Sequence, residues 1–278
     1  MKVHPALWAT IALWGSLAHA TTYVVNNHGT GNFPTIQSAI NAAASGDTVA
    51  LIDGVFTRSG NRDISFLGKS VVLRSLSGNP AACVLDAQGS ATDNHRVLDF
   101  TNSEGPNAVV DGVTVRGGYT PHLEPPNYSF GGGIYVGTNA GPTFQNCVIT
   151  GNYCGDNGAG MAVATNAYPT LMDCVISGNS GGEGSGIGYD SRPDTTLVTA
   201  IRCLFQSNVA MAHGGGVALA GANHFTDCTF YQNQASQGAG FFICGGSHAT
   251  TFSGCTFLRN RAYFATDSTA TYGGGGMT

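Results

Sequence analysis

The sequence is short of charge. Asp, Glu, Lys and Arg make up 10% of its 278 residues, against roughly 25% in an ordinary soluble domain. Lysine occurs only as Lys2 and Lys69, and glutamate only as Glu104, Glu124 and Glu183. A helical bundle or coiled coil is excluded, because its solvent stripes are built from these residues. The net charge of −5 and a pI near 5.8, with no basic run, exclude a nucleic-acid partner. Tryptophan is confined to Trp8 and Trp14. Disorder is excluded by the 42% hydrophobic content. Collagen is excluded because the 41 glycines show no three-residue period. What is abundant is Gly, Thr, Ser and Asn, with eight Cys. That composition points to a β-rich chain with tight turns, as one large or two small domains.

The first twenty residues read as a secretory signal. Lys2 gives a positive start, and Ala6 to Leu17 is an apolar run of about twelve residues, too short to cross a bilayer. Ala18-His19-Ala20 then supplies an A-x-A cleavage site. No later run is long and apolar enough for a transmembrane helix. Localisation is expected to be secreted, or at the cell surface or outer membrane. The mature chain would lack Trp.

The rest is a repeat. Five segments share one pattern: NCVITGN, DCVISGN, RCLFQSN, DCTFYQN and GCTFLRN. Their cysteines are Cys147, Cys174, Cys203, Cys228 and Cys255, in steps of 27, 29, 25 and 27. Five residues after each stands Asn152, Asn179, Asn208, Asn233 or Asn260. Between the units come GGGIY, GAGMA, GSGIG, GGGVA and GAGFF, starting at Gly131, Gly158, Gly184, Gly214 and Gly238. A weaker unit, DGVTVRGG from Asp111, puts Gly112 in the Cys slot, and VLDA at Val84 and VLDF at Val97 read as earlier strands. A period near 27 with two or three short strands per unit predicts an all-β parallel solenoid. Cys147 and Ile149 would face inward, and Asn146 and Val148 outward. Like residues would stack about 4.8 Å apart. The Asn column is expected at a turn, tolerating αL and bonding along the stack.

Residues 35–45 differ. Thr35 is an N-cap, and Ile36, Ala39, Ile40 and Ala43 share one helical face. This predicts a short helix covering the solenoid's N-terminal end. The organisation read from the sequence is a signal at 1–20, a cap with helix and first strand at 21–55, and β-solenoid coils at 56–278. The final GGGGMT begins another Gly-rich approach, so the coils are expected to be incomplete at the C-terminus, with an open end prone to end-to-end association.

PTIQSAINAAASGDTVALIDGVFT, with GKSVVLRS and VVDGVTVRGG, resembles the start of right-handed parallel β-helix proteins of the pectate-lyase-like superfamily. The later units resemble the repeats of polymorphic outer-membrane autotransporter adhesins. Gly132-Gly133-Ile134 and Gly215-Gly216-Val217 match that family's G-G-hydrophobic motif. Phe205 to Asn208, Phe230 to Asn233 and Phe257 to Asn260 match its F-x-x-N, with Ile149 and Ile176 replacing Phe in two units. The resemblance covers nearly all of residues 23–276. It implies the fold strongly and the activity weakly, because lyases, hydrolases, esterases, adhesins and tailspikes share it.

The residue before each ladder Cys would form an outward column: Asp111, Asn146, Asp173, Arg202, Asp227 and Gly254. Its best constellation is Asp173–Arg202–Asp227. In the superfamily's pectate lyases, stacked Asp hold calcium and an Arg abstracts the proton. The resemblance therefore implies a catalytic alternative with calcium as cofactor, while an ion-pair ladder is the plainer reading. The lyase motifs around the Arg, and the Asp pair followed by Phe and Gly that marks pectin methylesterases, are absent. His28, His95, His122, His213, His224 and His248 show no metal-ligand spacing, so no metal is expected. Pro121–Ser129 and Asp190–Thr196 read as insertions between strands. With Tyr119, Tyr128, Tyr189 and Arg192 they form the candidate binding region, suited to a polysaccharide or a host or cell-surface protein.

Eight cysteines in an exported chain would ordinarily signal disulfides. The period argues otherwise for five of them. Inward Cβ atoms about 4.8 Å apart with parallel vectors lie outside disulfide geometry, so buried thiols are expected. Cys83, Cys154 and Cys244 lie off the ladder, leaving room for one bridge. Taken together, the reading is an exported, non-enzymatic β-helix binding protein, with a polysaccharide lyase or hydrolase as the alternative.

Overall fold

The computed structural model describes residues 19–122, 129–190, 196–245, 249–263 and 275–277. The signal-peptide reading falls almost wholly on residues 1–18, outside the described residues. Tyr128 and Arg192 also lie outside them.

The chain winds as a parallel β-solenoid with four sheets of nine, eight, six and seven strands. They are called first to fourth in the order a coil visits them. One coil runs Thr143–Gln145, Val148–Thr150, Tyr153–Asn157 and Met161–Val163, and the next begins at Thr170–Met172. Four strands per coil, rather than two or three, follow from splitting each unit at both the Asn turn and the Gly turn. The strand Thr22–Val25 precedes the helix and pairs in parallel with Thr48–Leu51, a first strand that the sequence pattern did not reveal.

The helix Ile36–Ala42 follows the predicted logic. Thr35 and Ser38 form a reciprocal cap, and Ile36, Ala39 and Ile40 are buried. Its carbonyl end is closed by Lys69, whose Nζ donates to Ile40, Asn41 and Ala43 at 2.8–2.9 Å.

Strand register puts like on like. Ile149, Ile176, Phe205, Phe230 and Phe257 stack in the second sheet. The rings of Phe205, Phe230 and Phe257 are parallel, at 4.8 and 4.4 Å. Facing them in the first sheet is the column Phe144, Leu171, Ala200, Phe225. Ala200 is the one small residue in it, leaving room where Phe205 begins the aromatic stack.

The Asn column makes the second corner. Asn152, Asn179, Asn208 and Asn233 are buried, and each carboxamide bonds along the axis. Asn208 Oδ1 accepts from the backbone N–H of Asn179 at 3.1 Å and from its Nδ2 at 3.0 Å. Asn208 Nδ2 in turn donates to Ile176 O at 2.9 Å and Asn233 Oδ1 at 3.1 Å. These asparagines are not the left-handed residues. Positive φ belongs to the residue before each: Gly151, Gly178, Ser207 and Gln232. That residue makes the bend, which turns the following Asn inward.

The Gly triplets make the third corner. Gly214 has φ +61, and a Cβ there would lie 2.3 Å from Val217 O. The backbone folds back onto its own following strand, which is why the motif needs glycine.

Two alignments need correction. Gly112 hydrogen bonds to Gln145 O and has φ +68, so it matches Asn146, and Val113 occupies the Cys slot. Asp111 pairs with Gln145 inside the first sheet and does not belong to the outward column. Both are one-residue slips, caused by anchoring the early unit on its glycine instead of its apolar residue.

The ladder thiols are buried from Cys147 to Cys228, and Cys255 is partly buried at the last coil. No disulfide joins any of the eight cysteines. Cys83, Cys154 and Cys244 belong to three different sheet regions, which leaves no pair to bridge. Burial pushes the Cys83 thiol up to about 12, and hydrogen bonding to Cys174 with burial does the same for Cys203. The native protein is therefore expected to leave the six buried thiols unreactive to a disulfide-exchange reagent in mildly alkaline buffer. Only Cys244 and Cys255 should react, and all eight should titrate in denaturant. A native protein that yields more than two thiols would contradict this packing.

Candidate functional site

The corner between the first and second sheets carries the predicted column. Asn146, Asp173, Arg202 and Asp227 are exposed there, each with φ near +50. Arg202 grips Asp173 with Nε on Oδ1 and Nη2 on Oδ2, both at 2.7 Å. The guanidinium holds the Asp173 carboxyl below its usual range, and Asp173 raises the guanidinium further. A base must lose its proton easily, and this arrangement opposes that. Among the described ion pairs none joins Asp227 to Arg202. The set does not fit calcium. Both Asp173 oxygens are taken, and a cation already stands where the metal would sit. Arg202→Ala is expected to leave the unfolding midpoint unchanged, and to leave the absorbance of polyuronates incubated with calcium at the wild-type level.

The corner between the third and fourth sheets is chemically richer. It holds three imidazoles, each gripped by carboxylate. His95 sits between Asp63 (Nδ1, 2.5 Å) and Asp93 (Nε2, 2.9 Å). His122 Nδ1 meets Asp156 at 2.5 Å, and the other Asp156 oxygen accepts from the Ser129 N–H. His213 Nδ1 meets Glu183 Oε1 at 2.9 Å.

Sheet register explains the last pair. The residue before each Gly triplet stacks on its successor through backbone bonds: Gly131 N to Asn157 O, Gly158 N to Glu183 O, Gly184 N to His213 O, and Gly214 N to Gln237 O. Glu183 and His213 are thus neighbours one coil apart. The second oxygen of Glu183 accepts from the Tyr189 hydroxyl. Beside them opens a cleft of about 290 Å³ lined by Glu183, Tyr189, His213, Phe242, Ile243, Cys244 and Gly245. The His213 ring lies flat on Phe242, 4.3 Å between centroids. Glu183 thereby fixes which imidazole nitrogen bonds inward and leaves Nε2 for other partners.

Toward the N-terminus the strip continues. Tyr135 bonds Asp190 Oδ2 at 2.8 Å, and Arg96 lies over the Tyr135 ring at 5.2 Å. Asp99, beside Tyr135 in the sheet, has its carboxyl pushed up by burial, and one of its buried oxygens has no hydrogen-bond partner.

A family model for the right-handed β-helix region matches residues 77–273. The chain belongs to the right-handed β-helix family. No curated protein matches it in sequence. Among solved structures this β-helix is similar to the pectate lyase Pel9A, at 13% identity over 82% of this chain and 69% of that one, TM-score 0.48. It is similar to the pectin methylesterase of Aspergillus niger, at 12% identity over 91% of each chain, TM-score 0.42. A mannuronic acid-specific family 6 lyase from human gut microbiota aligns at 14% identity over 86% of this chain and 59% of that one, TM-score 0.46.

Within this β-helix, Tyr189 is the predicted binding residue that reaches the cleft. Tyr119 lies in the third sheet, stacked on Tyr153 at 4.6 Å. Both insertions border the strip, since Asp190 and Ser129 belong to them and join its bonds. Glu183, His213 and Phe242 are not among the site residues expected from the sequence. Their signal was available: Glu183 and His213 each stand immediately before a Gly-x-Gly turn, and that column is the corner.

Proposed function

We propose that the chain is an exported β-helix binding protein that holds a polysaccharide along the corner between its third and fourth sheets. The observation that carries this is the cleft at Glu183, Tyr189, His213 and Phe242. It joins an aromatic platform to fixed polar groups, the usual composition of a small-ligand site. Export rests on the first twenty residues, and display at a cell surface or outer membrane on the repeat resemblance. The described helix is not long and apolar enough to cross a membrane.

The test is gel retardation by a panel of immobilised polysaccharides, with the mature wild type beside Phe242→Ala. The wild type is expected to be retarded by at least one polymer, and Phe242→Ala to weaken that binding about tenfold, as loss of an aromatic anchor does. A wild type retarded by none of the panel would end the proposal. So would a variant that binds as the wild type does.

A further inference from the structure

The electrostatics of the same cleft narrow its ligand, an inference that rests on the binding function proposed above. We infer that the cleft selects a glycan without acid groups and rejects polyuronates.

Glu183 is the charged residue inside the cleft, and both its oxygens are satisfied by donors, Tyr189 hydroxyl and His213 Nδ1. The carboxyl group is thereby held in place beside Phe242, with its oxygens turned to the cleft. No Lys or Arg lines the cleft among the described residues. Along the axis the charge stays negative. Asp190, Asp156, Asp63 and Asp93 border the strip, and among the described residues the arginines beside them are Arg62 and Arg96.

Both arginines are engaged. Arg62 pairs with Asp93 at 3.2 Å and donates to Ala87 O. Arg96 donates to Phe130 O and Gly131 O at 2.9 and 3.0 Å, and approaches Asp99 at 3.9 Å. A polyuronate laid on this strip would bring one carboxylate per sugar against fixed carboxylates, with no unengaged Lys or Arg lining the cleft among the described residues. A neutral sugar meets no such repulsion. It can set its apolar C–H face against Phe242 while its hydroxyls bond to His213 Nε2 and the Glu183 oxygens.

The experiment uses the full mature chain in affinity gels at low and moderate salt. The probes are polygalacturonate and a neutral polymer, hydroxyethyl cellulose. The neutral polymer is expected to bind at least about tenfold more tightly at low salt, and added salt should narrow the gap by screening the repulsion. Glu183→Gln removes the central charge and should narrow it too, by strengthening polygalacturonate binding. Polygalacturonate binding as tightly as the neutral polymer would overturn the selectivity while leaving the binding function standing. Retardation by neither would remove both.

Discussion

Asn208→Ala is expected to destabilise the solenoid by about 3–5 kcal/mol, read as a fall in the urea midpoint at unchanged slope. The carboxamide serves four groups. Its oxygen takes the Asn179 backbone N–H and Nδ2, and its nitrogen serves Ile176 O and Asn233 Oδ1. All of these lie at a corner where Asn179, Asn208 and Asn233 are fully buried. Truncation leaves a backbone N–H and a carbonyl without partners in a site closed to water, each costing about 1–3 kcal/mol. Asn208→Asp tests whether shape or the donor matters. The side chain keeps its size, but an acceptor now faces Ile176 O and Asn233 Oδ1. It is expected to cost at least as much as alanine at neutral pH. An aspartate variant as stable as the wild type would show that the ladder works by packing alone.

The same ladder shows why some of this protein was readable in its sequence and some was not. Periodicity is a property of the chain, so the Cys, Asn and Gly columns could be counted, and the solenoid followed from them. The inward Cys-x-Ile and Cys-x-Phe pairs gave the burial of the second sheet correctly. Which residue of a corner bends is a backbone matter. Gly151 and Gly178 carry the positive φ openly, while Ser207 and Gln232 do so without any compositional sign. That is how the asparagines came to be assigned the bend.

The cleft was hidden for another reason. Glu183 and His213 stand 30 residues apart, and the backbone register of the Gly turns makes them neighbours one coil apart. Asp173 and Arg202 are paired by the same logic, but both side chains are exposed. A column visible in the sequence therefore yielded a surface ion pair, and one overlooked yielded the cleft. Topology brings residues together, but what packs around them decides whether they enclose anything.

Gly186→Ala is expected to cost about 3 kcal/mol or more, by overpacking against backbone. Its added Cβ would lie 2.2 Å from Gly216 O and 3.2 Å from Asn208 Nδ2. The first contact is with the chain of the next coil, whose carbonyl cannot move without stretching the sheet. The second is with the ladder itself. Gly105→Ala is the control: nothing lies within 4 Å of its Cβ position and its φ is ordinary. It should be neutral or gain up to about 1 kcal/mol by restricting the unfolded chain. The double variant Gly186→Ala with Asn208→Ala then separates the two contacts. Removing the carboxamide relieves only the longer one, so the double variant is expected to cost less than the sum of the two by about 0.5–1 kcal/mol, the coupling of residues in contact. A double variant more stable than Asn208→Ala alone would mean that the added methyl fills the space the amide left. The coil spacing at this corner would then be set by the asparagine side chains and not by the Gly-to-Gly backbone contact.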